Sequence, residues 1–322
     1  MRVGVLAGVA AFYAGAMAWM VVFPGTSHRG PVGRAPPELT QRVETHVQAL
    51  ATEIGPRNHV TPGSLAAAAN YIRSTFQAQG HRVHSEVFEL DGRPVENLVV
   101  TIPGDSSDIV LIGAHYDTHP GSPGADDNAS GVAALLELGL ALRGARPQRT
   151  IRLVAFVNEE YPFARTEAMG SVVHARRARA RGDVIHAMVS IESVGNYSDA
   201  ADSQATPGLF RPYFPSQGNF VAFMGDLGSR GDISAAMGAF RAHAQVPSEG
   251  LSAPGWLAGT YRSDHWAFWL EGYPGIMVTD TAPYRYADYH EQTDTAEKLE
   301  YSTLAAVVVG LTGMTLRLAD GH

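Results

Sequence analysis

The sequence predicts an α/β sandwich on a mixed, mainly parallel central sheet, and three observations lead there. From about residue 130 onward, helical segments alternate with short apolar runs, the order that a parallel sheet with crossover helices requires. Upstream lie three short apolar or alternating segments that read as strands, so antiparallel strands precede the alternation. The composition is that of a folded chain: 322 residues, 45% hydrophobic and 17% charged, enough to bury a sizeable core.

The elements follow in order. A helix near Leu39–Ile54 opens the domain, with Leu39, Val43, Val47 and Leu50 on one face. A second helix follows Thr61-Pro62 and stops at Gly80, since Pro suits a first turn and Gly an ending. Strands are predicted over Arg82–Leu90, Asn97–Ile102 and Ile109–Ala114. Then come a helix over Ser130–Arg143, a strand over Thr150–Val157, a helix over Gly170–Arg181 and a strand over Val184–Ile191. Later strands are expected near Phe220–Met224 and Gly275–Thr279, and a closing helix over Ser302–Leu318. Between Tyr197 and Gly259 the pattern is irregular and rich in Gly and Pro, and reads as loops elaborating one domain.

The N-terminus differs from the rest. Val3 to Phe23 carries no charged residue and is long enough, at ~20 residues, to span a bilayer as a helix. It is expected to be a transmembrane segment or signal anchor over residues 1–23, with a cleaved signal as the alternative. Residues 24–37, rich in Gly, Pro, Ser and Arg, read as a linker, and 38–322 as the folded domain. The expected place is the cell envelope, with membrane contact through this segment and an extracytoplasmic domain, or secretion if the segment is cleaved.

Charge and composition exclude several functions. A net charge of −8 argues against nucleic acid as a partner, because phosphate binding needs a concentrated basic surface. The basic run Arg176–Arg181 reads as a solvated helix face. There is no cysteine, so disulfides, thiol nucleophiles and thiolate metal sites are out. Any metal must be held by imidazole and carboxylate, the donors typical of catalytic zinc.

Such donors stand where an α/β sheet would gather them. The strand over Ile109–Ala114 ends in His115-Tyr116-Asp117, and that over Thr150–Val157 ends in Asn158-Glu159-Glu160. The strand over Val184–Ile191 ends in Glu192, and that over Gly275–Thr279 leads toward Asp288-Tyr289-His290. Ligands in open α/β sheets collect beyond the carboxyl ends of the strands, so these residues are predicted to converge. Gly124–Gly131 adds Asp126 and Asp127 in a glycine-flanked turn before a helix, a place where an acid could equally be a cap.

These motifs, in this order and together with Ser263-Asp264-His265 and Tyr289–Thr295, resemble those of the M28 family of zinc peptidases. The resemblance runs from about Leu39 to the C-terminus. It implies a three-layer zinc exopeptidase fold, a peptide substrate and two zinc ions. His115 and Glu192 would hold one ion, Glu160 and His290 the other, and Asp126 would bridge them. It further implies Asp117 as acceptor for the His115 ring, a cis peptide between Asp126 and Asp127, and Glu159 as general base. Where Glu192 stands, the best-known members carry Asp; Glu, one methylene longer, offers the same oxygen donor. Tyr289 is a candidate substrate contact.

Ser263-Asp264-His265 lacks the strained elbow of a nucleophilic serine, so His265 is read as structural. His119 is read as a loop residue, and His81 and His84 as surface groups. Trp256, Tyr261, Trp266, Phe268, Trp269 and Tyr273 read as core packing, some of them lining a pocket with Tyr161 and Phe163. The expected activity is aminopeptidase. The alternatives are a single-zinc acyltransferase resembling glutaminyl cyclases and a binding module on the same fold. No clear clamp for a substrate carboxylate stands out, although Arg165, Arg262 and Arg285 lie near the motifs.

Overall fold

A computed structural model describes residues 13, 15–90, 92–208, 210–257 and 259–321. Among the described residues the sheet has nine strands: β1 (Val21–Val22), β2 (Val83–Leu90), β3 (Arg93–Ile102), β4 (Ser106–His115), β5 (Arg149–Phe156), β6 (Ile185–Glu192), β7 (Val221–Gly225), β8 (Ser248–Ser252) and β9 (Ile276–Thr279). Their order across the sheet is β1-β8-β7-β9-β6-β4-β5-β3-β2. The middle four, β9-β6-β4-β5, run parallel. On one side β3 and β2 continue antiparallel, and on the other a parallel β7-β8 pair joins β9 antiparallel.

Helices cover both faces, which gives the three-layer arrangement that was expected. One face carries α1 (Pro37–Val47), α2 (Ser64–Ala78), α3 (Gly131–Ala141), α5 (Arg230–His243) and α8 (Tyr301–Asp320) over the larger core. The other carries α4 (Gly170–Arg181) and α6 (His265–Leu270), packed on Leu111, Val154, Phe156 and Met188. A short α7 spans Ala282–Arg285. The α8 helix is long and apolar enough to cross a bilayer, but its most apolar stretch is 67% buried inside the domain. It is a core helix.

Two regions differ from the sequence reading. The 197–259 stretch, read as loops around one strand, also holds α5 and β8. The signal was present: Ile233, Ala236, Met237 and Phe240 make a helical stripe, and all are buried. Gly and Ser around them masked it. At the N-terminus the domain begins before residue 38. Val21 and Val22 are buried and pair with Leu251 and Gly250, so β1 covers the free edge of β8.

Residues 24–37 are accordingly not a free linker. Arg241 donates to the carbonyls of Pro24 and Gly25. Ser248 N–H donates to Ser27 Oγ, and Gly33 N–H to the Gln245 carbonyl. The anchor expected over 1–23 falls largely on residues 1–12 and 14, outside the described residues.

Candidate metal centre

The strand ends deliver their side chains as their apolar runs dictate. Burial of β4, β5 and β6 on both faces leaves the polar chemistry for the residues just past their carboxyl ends. His115, the last residue of β4, is fully buried. Its Nε2 lies 3.2 Å from Glu192 Oε2 at the end of β6 and 3.2 Å from Asp127 Oδ1. Across the same carboxylate, His290 Nε2 lies 3.0 Å from Asp127 Oδ2, and 3.3 Å from Glu160 Oε1. Two groups of ligand atoms result, His115-Asp127-Glu192 and Asp127-Glu160-His290, each within 4.8 Å and sharing Asp127.

The acid between the two groups is thus Asp127, not Asp126. Side chains of adjacent residues diverge, and the turn at Asp127 (φ −106°, ψ 89°) and Asn128 (φ −136°, ψ 41°) directs the second acid inward. Asp126 faces the other way. Its Oδ1 accepts from Gly195 N–H at 2.8 Å, and burial beside Asp280 and Asp294 holds its carboxyl well above the usual range. The cis peptide likewise lies one residue on, at Asp127-Asn128.

Asp117 stands beside the His115 ring and does more than the resemblance implies. The nearest oxygen to His115 Nδ1 is the Asp117 backbone carbonyl at 3.1 Å, with the carboxylate at 3.5 Å. That carboxylate also accepts from the N–H groups of Glu159 (3.0 Å) and Glu160 (3.1 Å). It therefore fixes the turn that presents both glutamates.

The donor set fits a metal pair. Asp127 Oδ1 and Glu160 Oε1 are buried and accept no hydrogen bond among the described residues, although imidazole nitrogens stand nearby. The atoms of each group lie within 4.8 Å of one another, close enough to share one cation, and buried carboxylates are costly without positive partners. The carboxyls respond as an excess of negative charge should. Burial and the nearby Asp127 push Glu160 up to about 7. Burial and the neighbouring acids also raise Glu192, and raise Glu159 well above the usual range. His290 is driven up to about 10 by Asp127 and Glu160 against its own burial.

One supporting residue, Arg57, escaped the sequence reading, and two more, Ser263 and Asn128, lie in its motifs without a role assigned there. Arg57, fully buried, donates to the carbonyls of Leu50, Gly55, Tyr116, Pro123 and Gly124 and ties the acid turn to the end of β4. An arginine after Gly55-Pro56 gave no local hint of this. Ser263 Oγ donates to Glu192 Oε2 at 2.8 Å and lies 2.6 Å from Ser190 Oγ, so it orients a ligand and belongs to no triad. Asn128 receives Gly131 N–H and Ser193 N–H and donates to the Ile191 carbonyl, joining the acid turn to β6. At Gly131 a Cβ would fall 2.2 Å from Asn128 Oδ1, so only glycine fits.

Strain gathers here too. Asn158, Ser193, Ser263, Thr281 and His290 all have positive φ, a conformation that costs non-glycine residues energy and clusters at working sites.

The remaining candidates divide. His265 is buried, its Nε2 2.7 Å from the Thr260 carbonyl, and burial lowers it to about 4; it is a neutral structural ring. His119 belongs to neither ligand group but stacks on His290 at 4.5 Å. His84 is exposed, whereas His81 is half-buried with its Nε2 2.7 Å from the Gly139 carbonyl. Phe268 and Tyr273 are core, while Trp256 is exposed. Tyr289 stacks on His290 at 3.9 Å and lines a cavity of 280 Å³ with Glu159, Tyr261, Arg165 and Arg262.

The pattern of peptidase family M28 matches residues 97–312. The chain belongs to peptidase family M28. It is 34% identical over 303 residues to the uncharacterized protein YfbL of Escherichia coli K12, covering 91% of this chain and 90% of that one. It is 28% identical over 210 residues to leucine aminopeptidase 1 of Arthroderma otae, covering 62% of this chain and 51% of that one. Among solved structures, BSAP, a zinc aminopeptidase from Bacillus subtilis, superposes with a TM-score of 0.69 at 14% identity, over 88% of this chain and 95% of that one. This M28 chain is therefore a metal-dependent exopeptidase, with the fold and class that its motifs imply.

Proposed function

We propose that the chain is an aminopeptidase that removes N-terminal residues from peptides with two zinc ions. His115 and Glu192 would hold one ion and Glu160 and His290 the other, with Asp127 a ligand available to both. The observation carrying this reading is the Asp127 carboxylate, whose two oxygens stand 3.2 and 3.0 Å from the two imidazoles.

When bound, the zinc pair supplies a Lewis acid for the scissile carbonyl and lowers the pKa of the attacking water. Glu159 lines the cavity and pairs with neither ligand group among the described residues, so its carboxylate is free to take a proton from that water and pass it to the leaving amine. Asp117 keeps it aimed by holding its backbone N–H. Tyr289, stacked on His290 and lining the same cavity, is the candidate substrate contact.

Metal analysis of the purified chain, with assays on an amino-acid arylamide and an N-terminal glutamine peptide, tests the reading. Two zinc ions per chain and arylamide hydrolysis are expected. One ion with cyclisation of the glutamine peptide would instead indicate the acyltransferase. We further propose a cell-envelope location through the apolar residues before β1, tested by membrane fractionation of the full chain with and without residues 1–20.

A further inference from the structure

A second cavity adjoins the first, and its chemistry points to a substrate class. It measures 160 Å³, and Met224, Thr281 and Tyr284 line both cavities. Its walls are apolar, with Phe210, Phe214, Phe220, Leu251 and Leu257 among them. One charged side chain lines it: Glu249, on β8.

Sheet register fixes where Glu249 stands relative to the metal centre. Glu192 pairs with Thr279, Thr279 with Ala222, and Ala222 with Glu249. These four form one row across β6, β9, β7 and β8. Directly paired residues project from the same face of a sheet. Glu249 is therefore on the face of Glu192, three strand spacings or ~14 Å away between backbones. Glu192 and Thr279 line the first cavity, Ala222 and Glu249 the second.

Glu249 is oddly equipped for a half-buried acid. It has no ion pair or hydrogen bond to its carboxylate among the described residues. Arg241, which acts on it electrostatically, is engaged by Ser248 and by the Pro24 and Gly25 carbonyls. Burial pushes the carboxyl up to about 7, with Arg241 and Arg29 opposing only partly. A carboxylate at the end of an apolar cavity suits a ligand with an apolar stem and a cationic tip. Lysine and arginine side chains have that division of surface, and burying their charge requires a partner such as this.

We propose that the second cavity receives the side chain of an N-terminal lysine or arginine, its methylenes against the aromatic wall and its cation on Glu249. A short side chain would stop in the first cavity. This rests on the aminopeptidase reading and gives its substrate class.

The test compares lysine, arginine and norleucine arylamides on the zinc-loaded full chain and on Glu249→Gln. Norleucine matches the lysine stem but lacks its charge. The chain as it stands should favour lysine and arginine over norleucine in kcat/KM. Glu249→Gln should cut the lysine-to-norleucine ratio by about 10–100-fold, the worth of a charged hydrogen bond. Glu249→Asp, which keeps the charge, should retain the preference. An unchanged ratio in Glu249→Gln, an equal loss on both substrates, or a chain that prefers norleucine overturns the proposal and leaves the aminopeptidase reading standing. Hydrolysis of none of the three overturns both.

Discussion

Two buried groups of acids and histidines sit on the same sheet, and they are balanced in opposite ways. Near β2, Glu86 accepts from Asn97 at 3.0 Å and His174 at 2.9 Å, with Arg177 and Arg181 within 3.9 Å. These partners hold its carboxyl down to about 2 despite burial. At the metal centre four acids, Asp127, Glu159, Glu160 and Glu192, face two imidazoles, and no Lys or Arg pairs with them among the described residues. Three of those four are pushed up instead. The first group is complete as it stands. The second holds more carboxylates than cationic partners, and its raised carboxyls mark a site that a bound cation would relieve, whereas the first is a structural ion pair.

The strongest way to break this contrast is at the proposed base. Glu159→Gln should lower kcat by roughly 10²–10⁴-fold with zinc content unchanged by elemental analysis; retained turnover would remove Glu159 from the mechanism. Next are the paired acids. Asp127→Asn should weaken zinc binding on the order of 10²-fold or more, as measured by competition with a chelator, while Asp126→Asn should keep both ions. Equal losses in the two variants would return the bridging role to doubt. Removing zinc should cost stability, about 2.7 kcal/mol for each ion whose free concentration had stood a hundredfold above its Kd, read from thermal melts with and without chelator. No shift would mean that the acid surplus is not neutralised by metal.

The smallest effects sharpen the structural side. Ser263→Ala removes one donor to Glu192 and should reduce kcat/KM or zinc affinity by roughly tenfold, as loss of a group that orients a ligand does. Glu86→Gln should destabilise the fold by about 1–3 kcal/mol and leave the zinc content alone. Because folded Glu86 titrates at about 2 rather than near 4.5, its contribution is full above pH 4.5 and is lost as pH falls toward 2. His174, whose pKa burial lowers, adds a loss of the same sign as pH falls through its ordinary 6.5. Acid unfolding of Glu86→Gln should therefore be shallower between pH 4.5 and 2.

What could be read in advance follows from range. The strands β4, β5 and β6 announce themselves because burial on both faces makes them apolar runs, and each ends abruptly in an acid or imidazole. His115, Glu160, Glu192 and His290 were legible on that ground and by family likeness. The α5 helix was legible too, had its stripe been weighed above its Gly and Ser. Arg57 was not, since its five acceptors come from segments up to 67 residues away. Nor was β1, because an apolar Val-Val pair reads the same whether it meets lipid or a strand edge.

By itself, then, the chain determined an α/β peptidase fold and which strand ends carry ligands, since both follow from local apolar runs and the polar residues that stop them. Only the tertiary structure decided that Asp127 rather than Asp126 turns inward, that Ser263 steers Glu192, and that Glu249 shares a row with the metal centre. Each of those depends on backbone angles in one turn or on register between distant strands, and neither quantity is written in the residues on the spot.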